Sequence, residues 1–351
     1  MRRTSPLFIA ALVACTGRLD VGSNKRTHDE PTQKVGQRSC IGAGGTRTIA
    51  TLADEDVVGG LVVERDTLWV GTKELLKVDL PTGTTTPVPL VGFWAMSPFV
   101  AFGDKVAYSR REGVGFSTLV LHDTASGEER ALLGSGNGYN VTMVAAQRSG
   151  LLWATESAQN PGLSAVYHLG TAERRVAVAE GARILQPPPI ASDTSFLYIV
   201  KRSPTAARIE AIPLAGGAPR LVKGGFDPNA TFVFAPVVDG GLVYAIGTVE
   251  ANAPRFRGRL HRIGIAGTGE RTIADAITVD WFLFTHGLQF DGTYFWWPED
   301  IVDGVLARVP ATGGVPERIE VGSSITTFAV DDCNLYYATY QPSTVMARSI
   351  R

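Results

Sequence analysis

The sequence predicts an all-β protein, a seven-bladed β-propeller built from four-stranded antiparallel blades. The first reason is a recurring phrase, in which an aromatic strand is followed by a second hydrophobic run and a Gly-bearing turn. It occurs as Thr67–Val70 with Asp79–Gly83, and again as Tyr294–Trp297 with Pro310–Gly314. The second reason is composition, because 44% hydrophobic residues with 39 Gly and 20 Pro favour short strands joined by tight turns. We also expect almost no helix, since no stretch keeps a 3.6-residue apolar period.

The number of blades follows from the aromatic residue of each central strand. Successive markers are 39 to 51 residues apart, which matches the length of four-stranded propeller blades, about 40–50 residues. The seven markers are Trp69, Tyr108, Trp153, Tyr198, Tyr244, Phe295 and Tyr336.

The last repeat is incomplete, and the chain supplies the missing strand at its other end. Thr344–Ile350 is followed by only one residue, so the final blade lacks a fourth strand. Arg47–Ala50 has the same sequence as Arg271–Ala274, which is a fourth strand in the fifth repeat. We therefore predict that the N-terminal strand closes the last blade, which removes two unpaired sheet edges.

Cys40 and Cys333 flank two strands of this predicted last blade. Cys40 precedes the closing strand and Cys333 precedes the aromatic strand. In a four-stranded meander these two strands are parallel, so both cysteines lie at the same end. For an exported chain an oxidising compartment then favours a Cys40–Cys333 disulfide, and two free, partly buried thiols are the alternative.

Residues 1–15 are predicted to be a lipoprotein signal peptide. Arg2 and Arg3 precede a short apolar core, and Leu12–Cys15 resembles a bacterial lipobox in which Cys15 is lipidated. The alternative is an ordinary signal peptide cut near Ala14. Residues 16–45 contain no Phe, Trp or Tyr and are expected to form a flexible tether, which leaves 46–351 for the propeller.

The near-zero net charge of the chain argues against one class of partner, nucleic acid. With 33 Lys and Arg against 34 Asp and Glu, the net charge of -1 gives no electrostatic case for nucleic acid. We expect membrane contact only through the N-terminal lipid. The resulting location is the cell envelope, outside the cytoplasm, with the outer membrane preferred over the inner.

The strands and turns resemble a known group of proteins. Leu68-Trp69 and Leu197-Tyr198, with the turn Arg308–Gly314, are similar to the repeats of TolB-like and YWTD-type β-propellers, especially bacterial lipoproteins. The resemblance extends over roughly 46–351. It implies the propeller fold but no particular activity, because propellers host many functions.

No catalytic residue, metal site or cofactor is predicted. In the repeat register His122, His168 and His261 are residues of the third strand, away from the propeller axis. The Asp79–Gly83 turn is similar to quinoprotein repeats, but the Trp that follows such turns is absent, so no quinone is expected. Acidic groups such as Asp331-Asp332 are interpreted as solvated turns.

If the propeller has a binding site, the sequence places it on one face. The connections after the aromatic strands share a face with the connections that enter each blade. The long ones are predicted to be Thr155–Gly162, Gly247–Gly258 and Pro298–Gly304. The candidate contact residues are Trp94, Tyr139, Glu156, Arg255, Arg257, Trp281 and Glu299.

Aromatic rings beside Arg and carboxylate groups suit contact with a peptide or glycan. The alternative is that Trp94 and Trp281 simply pack between blades. The sequence thus predicts a lipid-anchored, extracytoplasmic binding or scaffold module for a protein, peptide or glycan. The alternative function is a lyase or hydrolase acting on a glycan or peptide at the central funnel.

Overall fold

The computed structural model describes most of the predicted propeller. The described residues are 40–41, 45–53, 57–94, 98–113, 116–132, 139–147, 150–157, 164–169, 173–179, 190–235, 237–250, 255–280, 288–340 and 342–350. The predicted signal peptide, Cys15 and most of the predicted tether lie outside them. Within these ranges the secondary structure is strand and turn, and there is no helix long and apolar enough to span a membrane.

The described strands form antiparallel sheets of four strands each, and in all but the last sheet neighbouring strands follow one another in the chain. Strand β1 spans Thr46–Thr51. Sheet 1 contains β2 to β5, at Gly60–Glu64, Thr67–Gly71, Leu75–Asp79 and Thr85–Val88. Sheet 2 contains β6 to β9, at Phe99–Phe102, Lys105–Gly113, Phe116–Asp123 and Glu129–Ala131. Sheet 3 contains β10 to β13, at Tyr139–Gln147, Gly150–Ser157, Ser164–Leu169 and Glu173–Ala179.

The same order continues through the second half of the chain. Sheet 4 contains β14 to β17, at Ile190–Ser192, Phe196–Arg202, Ala207–Pro213 and Arg220–Phe226. Sheet 5 contains β18 to β21, at Thr231–Phe234, Gly241–Val249, Arg255–Gly264 and Arg271–Asp280. Sheet 6 contains β22 to β25, at Gln289–Phe290, Tyr294–Asp300, Val305–Pro310 and Glu317–Glu320. Sheet 7 contains β26 to β28, at Ile325–Val330, Asn334–Thr339 and Thr344–Ser349, and is completed by β1.

The second strands contain long buried runs, and several fourth strands are largely exposed. All six residues of β27 are buried, as are the last four residues of β3, whereas β9 is exposed throughout. The seven marker aromatics all lie in second strands and are no more than 3% exposed. Strands that are buried on both faces read as continuous hydrophobic runs, which explains why the aromatic phrase was visible in the sequence.

Neighbouring sheets pack face to face through separate hydrophobic clusters. Trp69 of sheet 1 packs in one cluster with Phe99 and Tyr108 of sheet 2. Equivalent clusters join each following pair of sheets. The cluster around Val70 and Tyr336 joins sheet 7 back to sheet 1. This circular packing of four-stranded antiparallel sheets is a β-propeller, and the predicted architecture is confirmed at that level.

An aspartate ties the first turn of three sheets to the buried aromatic strand. The three aspartates are Asp193, Asp291 and Asp331. In each of them one carboxylate oxygen accepts hydrogen bonds from the backbone amides two and three residues later. The other oxygen accepts a hydrogen bond from the aromatic side chain five residues after the aspartate. The pairs are Asp193 with Tyr198 at 2.6 Å, Asp291 with Trp296 at 2.7 Å, and Asp331 with Tyr336 at 3.0 Å. The aspartate thereby satisfies both the turn amides and a buried ring donor.

The N-terminal strand completes sheet 7, as predicted. β1 pairs antiparallel with β28, from Thr46 opposite Arg348 to Thr51 opposite Thr344, with a bulge at Ile49. β1 therefore runs parallel to β27, which brings Cys40 and Cys333 to the same end of the sheet. The predicted Cys40–Cys333 disulfide is present, with 5.3 Å between the two Cα atoms and a sequence separation of 293.

Removing this disulfide should destabilise the folded protein. For the double variant Cys40→Ala, Cys333→Ala we expect the free energy of unfolding to fall by about 2–5 kcal/mol, because a cross-link over a very long loop restricts the unfolded chain. Urea denaturation followed by tryptophan fluorescence measures the change. A reducing agent should destabilise the wild-type protein by a similar amount and leave the double variant unaffected. Equal unfolding midpoints for wild type and variant would show that the bond does not support the fold.

Candidate functional site

The strand order divides the surface of the propeller into two faces. The loop face is formed by the connections from second to third strands and by the connections between sheets. The turn face is formed by the turns from first to second and from third to fourth strands. The two faces lie at opposite ends of the strands, because every strand in a sheet is antiparallel to its neighbour.

The predicted loop residues prove to be strand-end residues on the loop face. β19 extends to Val249 and β20 begins at Arg255, so Arg255 and Arg257 are part of a hairpin rather than of a long loop. Glu299 belongs to β23, and Glu156 belongs to β11. The sequence reasoning ended these strands too early. Thr248 and Val249 pair with Arg257 and Phe256 and so prolong the ladder.

The described contacts of these residues go to separate partners. Arg255 of sheet 5 forms an ion pair with Asp300 of sheet 6. Arg257 pairs with Glu250 across its own hairpin. Glu299 accepts a hydrogen bond from Arg318 of the outer strand β25, at 3.0 Å. The structure therefore connects two neighbouring sheets at the loop face but does not join these residues to one another by direct contact.

The remaining candidate residues are described only in part. Trp94 lies in the connection from β5 to β6, is 40% exposed, and its ring lies 5.5 Å from the guanidinium of Arg111. Tyr139 begins β10, opposite Ser157 of β11. Trp281 lies outside the described residues, as do the side chains of Tyr139 and Glu156.

Exposed apolar side chains are concentrated on the loop face. Among the described residues eight large hydrophobic side chains are exposed, and six of these lie in loop-face connections or at their borders. These six, which we call the apolar arc, are Val249, Val302, Tyr340, Val57, Val91 and Trp94. Their order follows consecutive sheets, from sheet 5 through sheets 6, 7 and 1 to the entry of sheet 2. The other two, Leu221 and Val315, belong to an outer strand and to the turn face.

The histidines of the third strands take part in networks on the outer half of their sheets. In sheet 5 Tyr244 donates a hydrogen bond to Glu270, and the His261 ring stacks on Tyr244 with 5.4 Å between centroids. Lys223 Nζ lies 2.6 Å from the second oxygen of Glu270. Burial followed by the Glu270 hydrogen bond raises the pKa of Tyr244, so this phenol remains a hydrogen-bond donor at neutral pH.

Sheet 2 repeats this arrangement. Tyr108 donates to Glu129 at 2.9 Å, and His122 Nδ1 lies 3.4 Å from the same carboxylate oxygen. Burial, with the neighbouring Glu129, raises the pKa of Tyr108 as well. In both sheets the histidine is on the third strand and the glutamate is at the fourth, which is where the sequence register placed these histidines. The networks connect the outer strands of a sheet, and in sheet 5 Lys223 of β17 adds a link to the neighbouring sheet 4.

Three neighbouring residues near the disulfide could in principle bind a metal ion, but two of them are already bonded within the protein. Asp331, Asp332 and Cys333 lie close together. However, the Cys333 sulfur is bonded to Cys40, and the Asp331 carboxylate accepts hydrogen bonds from Cys333 N, Asn334 N and Tyr336. This group holds the first turn of sheet 7.

A cavity of about 620 Å³ opens on the turn face between sheets 4, 5 and 6. Its wall is formed by the β14–β15 turn at Ser192–Phe196, by the β18–β19 turn at Val237–Gly240, and by Ile265 and Phe290. Sequence reasoning missed this site because it looked only at the opposite face. The dipeptide Asp239-Gly240 could have predicted the turn that forms part of the wall, since Asp-Gly is typical of a two-residue hairpin turn. In the structure both residues have positive φ (46° and 68°).

Comparison with solved structures supports the fold. The chain is similar to oligogalacturonate lyase from Vibrio parahaemolyticus, with 8% identity, TM-score 0.59 and coverage of 88% of this chain and 97% of that chain. It is also similar to the Nup133 β-propeller domain of Vanderwaltozyma polyspora, with 10% identity, TM-score 0.53 and coverage of 87% and 97%. A chain of the mitotic checkpoint complex matches with 13% identity, TM-score 0.57 and coverage of 92% and 98%. No protein-family model and no curated protein matches the chain.

These similarities define the class of protein by fold alone. At 8–13% identity, proteins with very different roles share this architecture with the chain. The chain is a β-propeller, and its function has to be argued from its own surfaces.

The sheet 5 network should make stability depend on pH near neutrality. Burial lowers the pKa of His261, so the unfolded chain takes up a proton at this site more readily than the folded protein does. The free energy of unfolding should therefore fall as the pH drops below about 6.5, the ordinary histidine pKa.

The variant His261→Gln should show a flatter dependence, by at most about 1.4 kcal/mol per pH unit. Urea denaturation of both proteins at pH 7.5, 6.5 and 5.5 gives the two slopes. Parallel slopes would contradict a role of His261 in this dependence.

Proposed function

We propose that this protein is a lipid-anchored, extracytoplasmic propeller that binds a partner protein through its loop face. The apolar arc is the observation on which the proposal depends. Val302 is 71% exposed and Tyr340 is 48% exposed, whereas most large hydrophobic side chains of the described sheets are buried or partly buried. Exposed apolar groups gathered on one face of a soluble domain are typical of a protein interaction surface.

The charged groups beside the arc fit the same interpretation. The Arg255–Asp300 pair lies between Val249 of sheet 5 and Val302 of sheet 6 in strand order, and Arg111 lies over the exposed ring of Trp94. Protein interfaces combine an apolar centre with a polar rim, and they are enriched in Trp, Tyr and Arg. The predicted contact residues Arg255, Arg257 and Glu299 would form part of that rim, while Trp94 belongs to the arc itself.

The location is argued from the disulfide and the N-terminal sequence. A structural disulfide that joins the two ends of the fold suits an oxidising compartment outside the cytoplasm. The Leu12–Cys15 lipobox and the aromatic-free segment that follows would then provide an anchor and a tether. A TolB-like lipoprotein facing the periplasm from the outer membrane is the arrangement we favour.

We further infer that the propeller is seven-bladed. This rests on the seven marker strands, on the four-stranded sheets in which each of them is the second strand, and on the cluster that joins sheet 7 to sheet 1. An even distribution of blades would place the apolar arc over about half of the loop face. Such a broad surface suits a protein more than a small ligand.

The alternative, a lyase or hydrolase at the central funnel, has less support. The similarity to oligogalacturonate lyase is one of fold at 8% identity. The histidines of the described sheets lie in third strands, and the tyrosine–glutamate pairs beside them are engaged with each other. We therefore assign no catalytic residue.

The loop face can be tested by site-specific photo-crosslinking in the organism that carries the gene. A benzophenone amino acid at position 302 or 340 should produce a discrete cross-linked product with a second protein. The same probe at Val315, which is 89% exposed on the turn face, is the matched control and should give none. The double variant Val302→Glu, Tyr340→Glu should abolish the product formed by a probe at position 94, because buried charge at an interface centre is costly.

Equal cross-linking from positions 302 and 315 would contradict a binding surface on the loop face. So would an undiminished product from position 94 in the double variant, provided that its thermal unfolding matches that of the wild type.

The lipid anchor can be tested by metabolic labelling with an alkyne analogue of palmitate. The wild-type protein should be labelled and should sediment with the outer membrane, whereas Cys15→Ala should lose both properties. Cys40→Ala serves as the control and should retain the label. Mass spectrometry of a mature chain that begins near Cys15 but has no lipid would instead support an ordinary signal peptide.

A further inference from the structure

We propose that the turn-face cavity between sheets 4, 5 and 6 is a binding site for a short uncharged saccharide. This inference is independent of the proposed partner surface, because the cavity lies at the opposite end of the strands. It rests on the size of the cavity, the rigidity of its wall, and the polar and aromatic groups that the wall presents.

The cavity has the size and the fixed wall that a small-ligand site needs. Its volume of about 620 Å³ lies within the usual range of such sites, about 300–1,000 Å³. The β14–β15 turn is held by Asp193, which accepts hydrogen bonds from the amides of Ser195 and Phe196. The β18–β19 turn is held by Arg262, whose Nη2 donates to the carbonyls of Val238 and Asp239 at 3.0 and 3.1 Å.

Polar groups at the wall have unused hydrogen-bonding capacity. Ser192 is 4% exposed, and its hydroxyl has no hydrogen-bond partner among the described residues. The Asp239 carboxylate has no hydrogen-bond or ion-pair partner in the described part of the chain, while the backbone of Asp239 is fixed by Arg262. The Ser192 hydroxyl lies beneath the wall with almost no accessible surface, whereas Asp239 is exposed, so its carboxylate is the group that a ligand in the cavity can reach.

The chemistry of these groups favours hydroxyl groups on the ligand. A serine hydroxyl both donates and accepts a hydrogen bond, and a carboxylate only accepts. A sugar hydroxyl can serve both, because it donates to Asp239 and exchanges donor and acceptor roles with the exposed hydroxyl of Ser195. Thr194 adds a second exposed hydroxyl side chain to the same wall.

Two aromatic rings provide the apolar part of the site. Phe196 comes from sheet 4 and Phe290 from sheet 6, and both are partly exposed at the wall. Phe290 is kept in place by stacking on Phe295, with 4.7 Å between centroids. Such rings offer flat apolar surfaces that can pack against the C–H face of a pyranose ring.

The charges around the cavity disfavour an ionic ligand of either sign. The guanidinium of Arg220 lies 4.7 Å from the Phe196 ring and donates to the carbonyl of Ile265 at the wall. The carboxylates of Asp193 and Asp239 are offset by the guanidinium groups of Arg220 and Arg262, so the charges near the wall balance in sign. A ligand without net charge matches this balance.

Saturation-transfer difference NMR on the full mature chain tests this site. The probes are maltose, cellobiose and N,N′-diacetylchitobiose, with trigalacturonate and choline as charged comparisons. We expect at least one uncharged saccharide to receive saturation and the charged compounds to receive none. Asp239→Asn keeps a side chain that tolerates positive φ and should weaken binding about tenfold.

A steric variant with a matched control locates the binding. Ser195→Trp should fill the cavity and abolish saturation transfer. Thr293→Trp changes the equivalent position of the β22–β23 turn, outside the cavity wall, and should preserve it. Thermal unfolding confirms that both variants are folded.

Three results would overturn the proposal. The first is no saturation of any uncharged saccharide at millimolar concentration. The second is preferential binding of trigalacturonate or choline. The third is binding that Ser195→Trp leaves intact or that Thr293→Trp abolishes equally.

Discussion

The pairing of β1 with β28 is the interaction on which the rest of the structure depends. It joins residues about 300 positions apart and completes sheet 7, which in turn packs against sheet 1 through the cluster around Val70 and Tyr336. Without β1, sheet 7 would expose an unpaired edge at β28. The Cys40–Cys333 bond secures the same junction covalently, so one short strand and one disulfide together hold the two ends of the chain.

The closed arrangement also determines where function can lie. Second strands are buried by neighbouring sheets on both sides, and the titratable groups of sheets 2 and 5 are used to connect strands. The surfaces that remain available for binding are therefore the loop face and the turn face, at the two ends of the strands. The loop face has exposed apolar groups on consecutive sheets, whereas the turn face has a walled cavity. The two faces thus suit different partners, a protein on one and a small polar molecule on the other.

The fold was predictable because the buried second strand of each sheet has a hydrophobic sequence that recurs along the chain. Each buried aromatic strand needed an apolar run around its aromatic residue, and Arg47–Ala50 matched a fourth strand in sequence. The site was less predictable. Strand ends depend on pairing with a partner, so Arg255 and Glu299 were placed in loops although they extend β20 and β23. The cavity depends on how far apart three turns lie, which no local pattern encodes, even though Asp239-Gly240 was recognisable as a turn.

Hydrogen exchange of the native protein tests the central claim, closure by the N-terminal strand, most directly. If β1 closes the fold, those of its amides that donate to β28 should exchange as slowly as the amides of β27 and β28 in the oxidised protein, through the same global unfolding. After reduction of the disulfide, β1 should exchange faster than β27, because the strand can then detach alone. Fast exchange of β1 in the oxidised protein, with β27 and β28 still protected, would contradict the account.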